Sequence, residues 1–410
     1  MKTLKNILSA LLIIFITLVI FFGLLEGIFR LTNGVPNPLA DVTQKRSDTL
    51  FTPNDVIHNR SSADGEFDTT IHINSLGYRG PEFSPVKPNS RLRIFAVGDS
   101  FTAGVGANDD QTMPAVMEKL LRTQGRDVEV INAGIGHASP VQYYDHLYRL
   151  HLKYKPDLVV LFFDLTDLWD DWHWERHMVL GKDGHIDRFD LSYRDGKRDW
   201  WATLVQHSAF CKWFDAKGVR AFKKMQLLGF KRYVSLKKDG TRAKAEIINS
   251  YNKIPDEDIM ELDGLLFLRG RDHSRLILKN WTRTTKYLTK IRDLLAEQHI
   301  PLIIVMYPHG IYVDGDQWNE GRKTWGFEQG RKYTDYYPFE LMADYTQKNQ
   351  IPFINTLPGF LFGPKQTYFY NWDGHMTPAG YKMVADQVVA DPLFLSIVNN
   401  LKAGNANGTL

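Results

Sequence analysis

The sequence predicts an α/β fold built on a parallel sheet and preceded by one N-terminal transmembrane helix. Two observations support this prediction: short apolar runs alternate with segments of helical spacing, and the chain opens with a long uncharged apolar run. With 410 residues, of which 43% are hydrophobic and 24% charged, the chain can bury a substantial core. It is long enough for one large domain or two modest ones.

The N-terminal run predicts where the protein is located. Lys2 and Lys5 precede residues 6–25, which carry no charge and are long enough to cross a bilayer. Residues 26–30 follow without an Ala-x-Ala cleavage site, so residues 1–30 are predicted to be an uncleaved signal anchor. Positive charge is greater before the run than after it. This predicts a single-pass membrane protein with its main domain on the periplasmic or extracellular side.

The net charge and the cysteine count argue against several classes of protein. The net charge is only +3, and no arginine-rich arm or RNA-binding signature accompanies it, so a nucleic-acid partner is not expected. Cys211 is the single cysteine, and it cannot form an internal disulfide or a thiolate metal site. It is expected to be a buried structural thiol.

The composition divides the rest of the chain into segments. Residues 31–90 are rich in Pro, Asn, Asp and Ser and are expected to form an extended stalk that becomes structured near residues 71–79. The main domain is predicted over residues 91–400, with an insertion at about 190–271 where the alternation stops, and with a tail at 401–410. The predicted strands lie at 92–97, 128–132, 158–163, 301–306 and 351–355, and the predicted helices at 113–122, 141–152, 277–298, 338–347 and 377–390.

A serine follows the first predicted strand of this domain directly, in the sequence Gly98-Asp99-Ser100. In open parallel sheets, ligands bind at the carboxyl ends of the strands, where loops deliver side chains into one crevice. A serine at such a turn can project its hydroxyl while nearby backbone N–H groups face an anion. The alternative is an ordinary helix cap, because Asp and Ser are favoured at that position.

A second motif places a carboxylate and an imidazole two residues apart, at Asp373 and His375. Thr377 and Pro378 follow as the cap and first turn of a helix. A neutral histidine can take a proton from a serine hydroxyl and return it to a leaving group, while an aspartate orients the imidazole. The alternative is a surface Asp and His in a loop.

Together these motifs resemble those of the SGNH, or GDSL, hydrolase family. The resemblance rests on Gly98-Asp99-Ser100, on Asn132-Ala133-Gly134, and on Asp373-Gly374-His375 with its Thr-Pro-Ala-Gly tail. It covers about residues 91–178 and 275–395. The segment from Asn74 to Gly80 is similar to the lead-in of membrane-tethered bacterial members of this family.

The resemblance implies a fold and a set of catalytic roles. The fold would be a three-layer α/β/α sandwich with a parallel sheet, flavodoxin-like and of the SGNH hydrolase type. Ser100 would be the nucleophile, His375 the base and Asp373 the acid that orients it. No cofactor is implied.

The oxyanion hole departs from the family pattern in two places. Family members build it from the N–H of the nucleophile, the N–H of a glycine and the amide of an asparagine. Thr166 stands at the asparagine position, and His137 stands where the glycine is usual, with Gly134 nearby. Gly134, His137 and Thr166 are therefore the candidate oxyanion donors. Losing one donor typically lowers the rate by about 100- to 1,000-fold.

The third loop of the domain interleaves aspartates with tryptophans. Its carboxylates would suit a divalent cation, but a solvated loop with a helix cap explains them more simply, and no metal site is predicted. Asp167, Trp169 and Trp172 are candidate substrate-binding residues, because exposed aromatic rings beside a crevice can stack on a sugar ring. Core packing is an equally good interpretation of the tryptophans.

Two further segments are unusual. Residues 215–244 are strongly basic and contain interspersed apolar residues, which suits either a lipid surface, a polyanionic glycan or a solvated helix face on a lid. Residues 307–337 are rich in aromatic residues and too long for a simple connection, so they are expected to wall the site.

These features predict a serine-dependent esterase or deacetylase that acts through an acyl-enzyme on O-acetylated glycans outside the membrane. One alternative is an O-acetyltransferase that uses the same serine and passes the acyl group to a polysaccharide. Another is a non-catalytic glycan-binding or assembly protein that kept the fold. The expected partners are the acylated carbohydrate, or another ester, and the membrane that holds the N-terminal helix.

Overall fold

The computed structural model describes residues 2–33, 43–44, 49–61, 65–215, 259–260 and 263–407. All of the basic segment 215–244 except Asp215 lies outside these residues. The strands are β1 (Thr43–Gln44), β2 (Val56–Arg60), β3 (Asp68–His72), β4 (Leu92–Gly98), β5 (Val128–Gly134), β6 (Leu158–Phe163), β7 (Met178–Leu180), β8 (Ile186–Asp190), β9 (Tyr193–Arg194), β10 (Lys197–Arg198), β11 (Leu302–Met306) and β12 (Phe353–Asn355). The α-helices are α1 (Lys2–Asn33), α2 (Ser100–Ala103), α3 (Met113–Thr123), α4 (Pro140–His146), α5 (Asp167–Arg176), α6 (Trp200–His207), α7 (Ala209–Phe214), α8 (Ser274–Glu297), α9 (Gly310–Val313), α10 (Tyr337–Lys348), α11 (Leu357–Phe362), α12 (Pro378–Ala390) and α13 (Pro392–Asn407).

A five-stranded sheet organises the larger part of the chain. Its strand order is β12-β11-β6-β4-β5, and every neighbouring pair is parallel. Counted from β4, this is the flavodoxin-like order 2-1-3-4-5, in which the chain reverses direction across the sheet between β4 and β6. The predicted parallel sheet is confirmed, and the carboxyl ends of β4 and β6 mark the crevice where ligands bind in such folds.

The two faces of this sheet are covered by helices. Every residue of β4, β5, β6 and β11 is buried, as expected for parallel strands that are covered on both sides. Helix α3 packs against α12, and α4 packs against α8. The result is the predicted three-layer α/β/α sandwich.

Residues 49–90 differ from the extended stalk expected from their composition. Strands β2 and β3 form an antiparallel hairpin, and the segment that follows is folded against the sheet. Asn74 forms a local turn in which its side-chain oxygen accepts the N–H groups of Leu76 and Tyr78, each at 3.0 Å. The Tyr78 ring is buried in the hydrophobic core, where it packs on Phe95. A few buried side chains therefore hold a segment whose composition is otherwise typical of a loop.

Arg79 ties the lead-in segment, by which we mean the described part of residues 49–90, to the loop that follows α2. Its guanidinium is buried and donates to the carbonyls of Ala103, Gly104 and Ala107 at 2.7 to 2.8 Å. It also pairs with the Asp109 carboxylate at 2.8 Å. The side chain thus satisfies three backbone carbonyls and one carboxylate, as a buried cation requires.

The chain divides into two compact units, which differ from the predicted segments. One unit contains residues 1–46 and 175–231, and the other contains residues 47–174 and 232–410. In the first unit, β1, β8 and β7 form a small antiparallel sheet, and the helices α6 and α7 follow it. Cys211 in α7 is half-buried rather than buried.

Helix α1 contains the one candidate membrane span among the described residues. Ala10–Thr32 has a mean hydropathy of 2.7 and is not buried. It is long and apolar enough to cross a membrane, and a signal sequence near an N-terminus satisfies the same criteria.

Removing the Arg79 side chain should destabilise the larger unit. We expect Arg79→Ala to lower the free energy of unfolding by about 3–5 kcal/mol, because it leaves buried carbonyls and Asp109 without their cation. Arg60→Ala is a matched control in the same segment, because Arg60 is exposed and only 3.9 Å from an exposed Asp68. Its effect should stay below about 1 kcal/mol. Chemical denaturation measures both, and equal effects would contradict the role of Arg79.

Candidate active site

Ser100 lies where the chain turns sharply from β4 into α2. Asp99 caps this short helix, and its carboxylate accepts the N–H of Phe101 at 2.9 Å. Gly98 is required before the turn, since a Cβ there would overlap the side chain of Thr102. The half-buried Ser100 presents its Oγ 2.8 Å from Nε2 of His375, although 275 residues separate the two in the chain.

His375 and Asp373 lie in the loop before α12. Thr377 caps that helix through the N–H of Gly380, as predicted. Asp373 Oδ1 is 2.5 Å from Nδ1 of His375 and also accepts the His375 N–H at 3.1 Å. Gly374 between them has φ of +90°, a conformation that favours glycine. The structure therefore brings Ser100, His375 and Asp373 into one hydrogen-bonded chain.

The ionisation of Asp373 determines where the protons lie in the hydrogen-bonded series Ser100, His375 and Asp373. Burial raises the pKa of Asp373, but the hydrogen bond and the charge of His375 outweigh burial, so the pKa lies below its usual value. An ionised carboxylate only accepts hydrogen bonds, and His375 Nδ1 must therefore carry the proton. In a neutral imidazole this leaves a lone pair on Nε2, facing the Ser100 hydroxyl.

Glu66 supports the Asp373 loop from the lead-in segment. Its two carboxylate oxygens accept the backbone N–H groups of Trp372 and Asp373, each at 2.9 Å. On the other side, the carbonyl of Asn371 accepts the N–H groups of Glu320 and Gly321. Glu66 could not be predicted from the sequence, because no spacing or motif connects it with a loop about 300 residues away.

The backbone at the candidate oxyanion hole has the form that a glycine would adopt. His137 has φ of +60°, and its side chain is exposed. Among the described residues, no acceptor is found for the N–H of His137 or for that of Ser100. Both N–H groups are thus available to an anion.

The other two candidate oxyanion donors have partners inside the protein. The N–H of Gly134 donates to the side chain of Asn132 at 3.1 Å, and a Cβ at Gly134 would overlap the backbone of Ala103. Gly134 is therefore needed for close packing. The Thr166 hydroxyl donates to Oδ2 of Asp164 at 2.6 Å. These two residues do not supply the donors that the sequence suggested.

Asp164 explains why the Thr166 hydroxyl is unavailable. Asp164 is fully buried, and its other oxygen is 2.9 Å from Nε2 of His309. Burial raises its pKa, but the charge and hydrogen bond of His309 and the two hydrogen bonds from Thr166 outweigh burial and lower the pKa below its usual value. An ionised Asp164 can only accept, so it uses the single hydroxyl proton of Thr166.

The three candidate substrate-binding residues are largely interior. Asp167 is fully buried, and Trp172 is 8% exposed and part of the hydrophobic core. Trp169 is half-buried, stacks on His173 with ring centres 5.2 Å apart, and donates its indole N–H to the carbonyl of Met260. Core packing is thus the better interpretation of Trp172. The exposed tryptophan next to the site is Trp372, which is 38% exposed.

Asp99, Asp167 and Asp170 form a buried acidic cluster behind the site with Asp164. Burial raises the pKa of each of these three carboxyls well above its usual value, and neighbouring carboxylates raise it further. Among the described residues, no group of three or more His, Cys, Asp or Glu side chains could hold a metal ion. The expectation that the aspartates of the third loop are solvated is wrong, because Asp164, Asp167 and Asp170 are buried.

The contacts of Asp167 fit a protonated acid. The Tyr143 hydroxyl lies 2.9 Å from Asp167 Oδ1 and 3.1 Å from the carbonyl of Ala138. A protonated Asp167 can donate to the Tyr143 oxygen while Tyr143 donates to Ala138. The other Asp167 oxygen accepts the N–H of Asp164 at 3.2 Å.

Asp167→Asn should therefore be tolerated and should change how stability depends on pH. The pKa of Asp167 is raised in the folded protein, so the stability that it contributes is complete below the unfolded pKa of about 3.9 and is lost as pH rises through the folded pKa. We expect the variant to gain stability relative to wild type with rising pH, since an amide makes the same contacts without ionising. Thermal unfolding from about pH 5 to about pH 9 measures the difference. A variant that loses stability by the same amount at every pH would contradict the protonated assignment.

Comparisons with known proteins find one matching family model and several similar solved structures. A family model described as the GDSL-like Lipase/Acylhydrolase family matches residues 96–188. No curated protein sequence matches the chain significantly. Similar solved structures include the acetyl xylan esterase AlAXEase, TesA and a lipase/acylhydrolase from Enterococcus faecalis, with 14%, 13% and 12% sequence identity and TM-scores of 0.34, 0.35 and 0.32. The matches cover 72%, 76% and 76% of this chain and 97%, 99% and 96% of those chains.

The family match includes Ser100 and the strands β5 and β6 that flank its crevice. The matched residues 96–188 thus resemble a GDSL-like lipase/acylhydrolase domain, the domain of hydrolases that act on ester bonds.

Proposed function

We propose that this protein cleaves esters through an acyl-enzyme on Ser100. The observation that carries the proposal is the hydrogen-bonded chain from Ser100 through His375 to Asp373, with distances of 2.8 and 2.5 Å. His375 Nε2 takes the hydroxyl proton as Ser100 Oγ attacks the ester carbonyl, and the protonated imidazole then donates that proton to the leaving alcohol. Water, activated by the same nitrogen, cleaves the acyl-enzyme and releases the acid.

In this proposal the oxyanion is stabilised by backbone donors alone. The N–H groups of Ser100 and His137 are the two available donors, and the Thr166 hydroxyl is used by Asp164. A missing third donor typically lowers turnover by about 100- to 1,000-fold. We therefore expect a slow esterase, or one whose substrate itself supplies a hydrogen-bond donor to the oxyanion.

For the substrate, we propose an O-acetylated glycan outside the membrane. Trp372 supports a sugar, because its exposed ring lies in the loop that carries Asp373 and His375 and can stack on a pyranose face. The apolar helix α1 supports attachment to a membrane with the domain exported. The acyl group proposed is acetyl, and the leaving group is a sugar hydroxyl.

Two alternative functions are compatible with the same fold. In an O-acetyltransferase, the acyl group on Ser100 passes to a sugar hydroxyl instead of water, and a sugar held on Trp372 would supply that hydroxyl. In a non-catalytic glycan-binding protein the serine is never acylated. The commitment of Thr166 to Asp164 favours this second alternative over an efficient hydrolase.

Labelling and acetate release test the three functions together. We expect a fluorophosphonate to label the wild type and to leave Ser100→Ala unlabelled, because the probe needs an activated serine. We expect Asp373→Asn to lower kcat for acetate release from acetylated glycans by roughly 10⁴-fold, since the imidazole loses its orienting acid. Acetate release that falls when an acceptor glycan is added, with the acetyl group found on the acceptor, would identify a transferase. Equal labelling of wild type and Ser100→Ala would contradict the nucleophile.

Glu66 gives a prediction about positioning. Glu66→Gln replaces one of two acceptor oxygens by a donor, so either the Trp372 or the Asp373 N–H loses its partner. We expect kcat to fall by about 10- to 100-fold, as for the loss of a hydrogen bond to a charged group.

The matched control for this prediction is Glu82→Gln. Glu82 lies in the same lead-in segment and also accepts two hydrogen bonds, both from Ser75, but it does not contact the Asp373 loop. Its kcat should equal that of wild type. A change in KM alone in Glu66→Gln, or the same loss of kcat in both variants, would rule out a positioning role for Glu66.

A further inference from the structure

Helix α7, which follows α6 directly, packs against the C-terminal part of the apolar helix α1. The ring of Phe210 in α7 lies 6.1 Å from that of Phe22 and 5.5 Å from that of Phe29, measured between ring centres. Trp213 lies 5.1 Å from Phe29. All of these residues belong to the same compact unit, so α1 is part of a folded structure.

A polar junction fixes α1 to these helices. The Glu26 carboxylate accepts the Ser208 hydroxyl at 2.6 Å and the N–H groups of Ala209 and Phe210 at 2.9 and 3.1 Å. Arg30 pairs with Glu26 at 2.6 Å and donates to the carbonyl of His207 at 2.9 Å. The two charged residues that follow the apolar run thus satisfy the backbone where α6 ends and α7 begins. Removal of α1 would leave these groups without partners, which argues for a retained anchor over a cleaved signal.

Beyond this junction, α6 and α7 expose large apolar side chains. Trp200 is 71% exposed, and Leu204, Trp213 and Phe214 are 43% to 44% exposed. We call these four residues the aromatic surface.

The aromatic surface is joined to α1 by ring contacts. Trp200 contacts Trp201, Trp201 contacts Phe214, and Phe214 stacks on Phe210, which packs on α1. The Trp201 indole N–H donates to Asp215, so its polar atom is satisfied at one end of an apolar ring.

We propose that α6 and α7 lie in the headgroup region of the bilayer that α1 crosses, with the aromatic surface in contact with lipid. The inference rests on the proposed membrane attachment of α1. Tryptophan and tyrosine favour this region because a ring there buries an apolar body and leaves a polar atom hydrated. The aromatic surface is continuous with the exposed apolar face of α1, and the charged pair Glu26 and Arg30 lies at the same level, near the C-terminal end of the candidate span.

Single fluorophores test this placement in the full-length chain. Cys211 is the only native cysteine, so Cys211→Ser provides a background for Trp213→Cys, Val19→Cys and Lys182→Cys, each labelled with bimane. Each protein is placed in vesicles whose lipids carry a nitroxide either near the headgroup or near the end of the acyl chain. We expect the label at position 213 to lose most of its fluorescence with the shallow nitroxide and little with the deep one.

The two other positions separate the possible failures. Val19 lies within the apolar span and reports on α1, so its label should be quenched by the deep nitroxide. Lys182 is exposed in the same unit, between β7 and β8. Its label should be quenched by aqueous iodide and by neither the shallow nor the deep nitroxide. If the deep nitroxide quenches the label at position 19 but the label at position 213 behaves like that at position 182, α1 is in the membrane and the aromatic surface is not. If neither is quenched, membrane attachment itself fails and the proposal with it.

A second measurement distinguishes lipid from another copy of the chain. In nanodiscs that hold one copy each, we expect the label at 213 to remain protected from iodide. Protection found only when several copies share a bilayer would overturn the proposal and make the surface an interface between copies. We also expect Glu26→Ala to reduce shallow quenching at 213 while deep quenching at 19 is retained, because Glu26 holds α7 against α1.

Discussion

The close approach of α2 to the ends of β4 and β5 is the constraint on which the site depends. A side-chain carbon at Gly98 would overlap the side chain of Thr102, and one at Gly134 would overlap the backbone of residues 102 and 103. These contacts fix the direction in which Ser100 leaves the sheet. Arg79 then holds the loop after α2 through three carbonyls, so close packing and one buried cation determine the position of Ser100.

The carboxylates near this turn are divided into two kinds by their partners. Asp373 and Asp164 each contact a histidine, and in both cases that histidine lowers a pKa that burial alone would raise. Burial and neighbouring carboxylates instead raise the pKa values of Asp167 and Asp170. Repulsion among buried carboxylates is costly in a low dielectric, so neutralising most of them is the stable arrangement. Asp99, next to Ser100, also has a raised pKa, so Asp373 and Asp164 are set apart by their histidine partners.

The strands and the two motifs that carry Ser100, Asp373 and His375 were predictable because each is encoded locally. Apolar runs identified β4, β5, β6 and β11 to within about two residues, and parallel strands bring the loops at their carboxyl ends to one edge of the sheet. What could not be predicted depends on distant partners. Tyr78 and Arg79 are buried although their neighbours are typical of a loop, and Glu66 acts on a loop far along the chain. Thr166 was predicted to be an oxyanion donor, but its hydroxyl donates to Asp164.

The backbone conformation of His137 bears on the proposed oxyanion hole. Its φ of +60° is unfavourable for any residue with a Cβ, at a cost of about 1–2 kcal/mol, and its exposed side chain gains no packing that would offset this. Strain of this kind persists where the surrounding structure imposes it. Here the conformation leaves the His137 N–H without an internal acceptor among the described residues, as at Ser100. An anion bound by both N–H groups would recover that cost when the site is occupied. The strain thus agrees with a hole made of backbone donors, in which the identity of the side chains at positions 137 and 166 matters less than the path of the main chain.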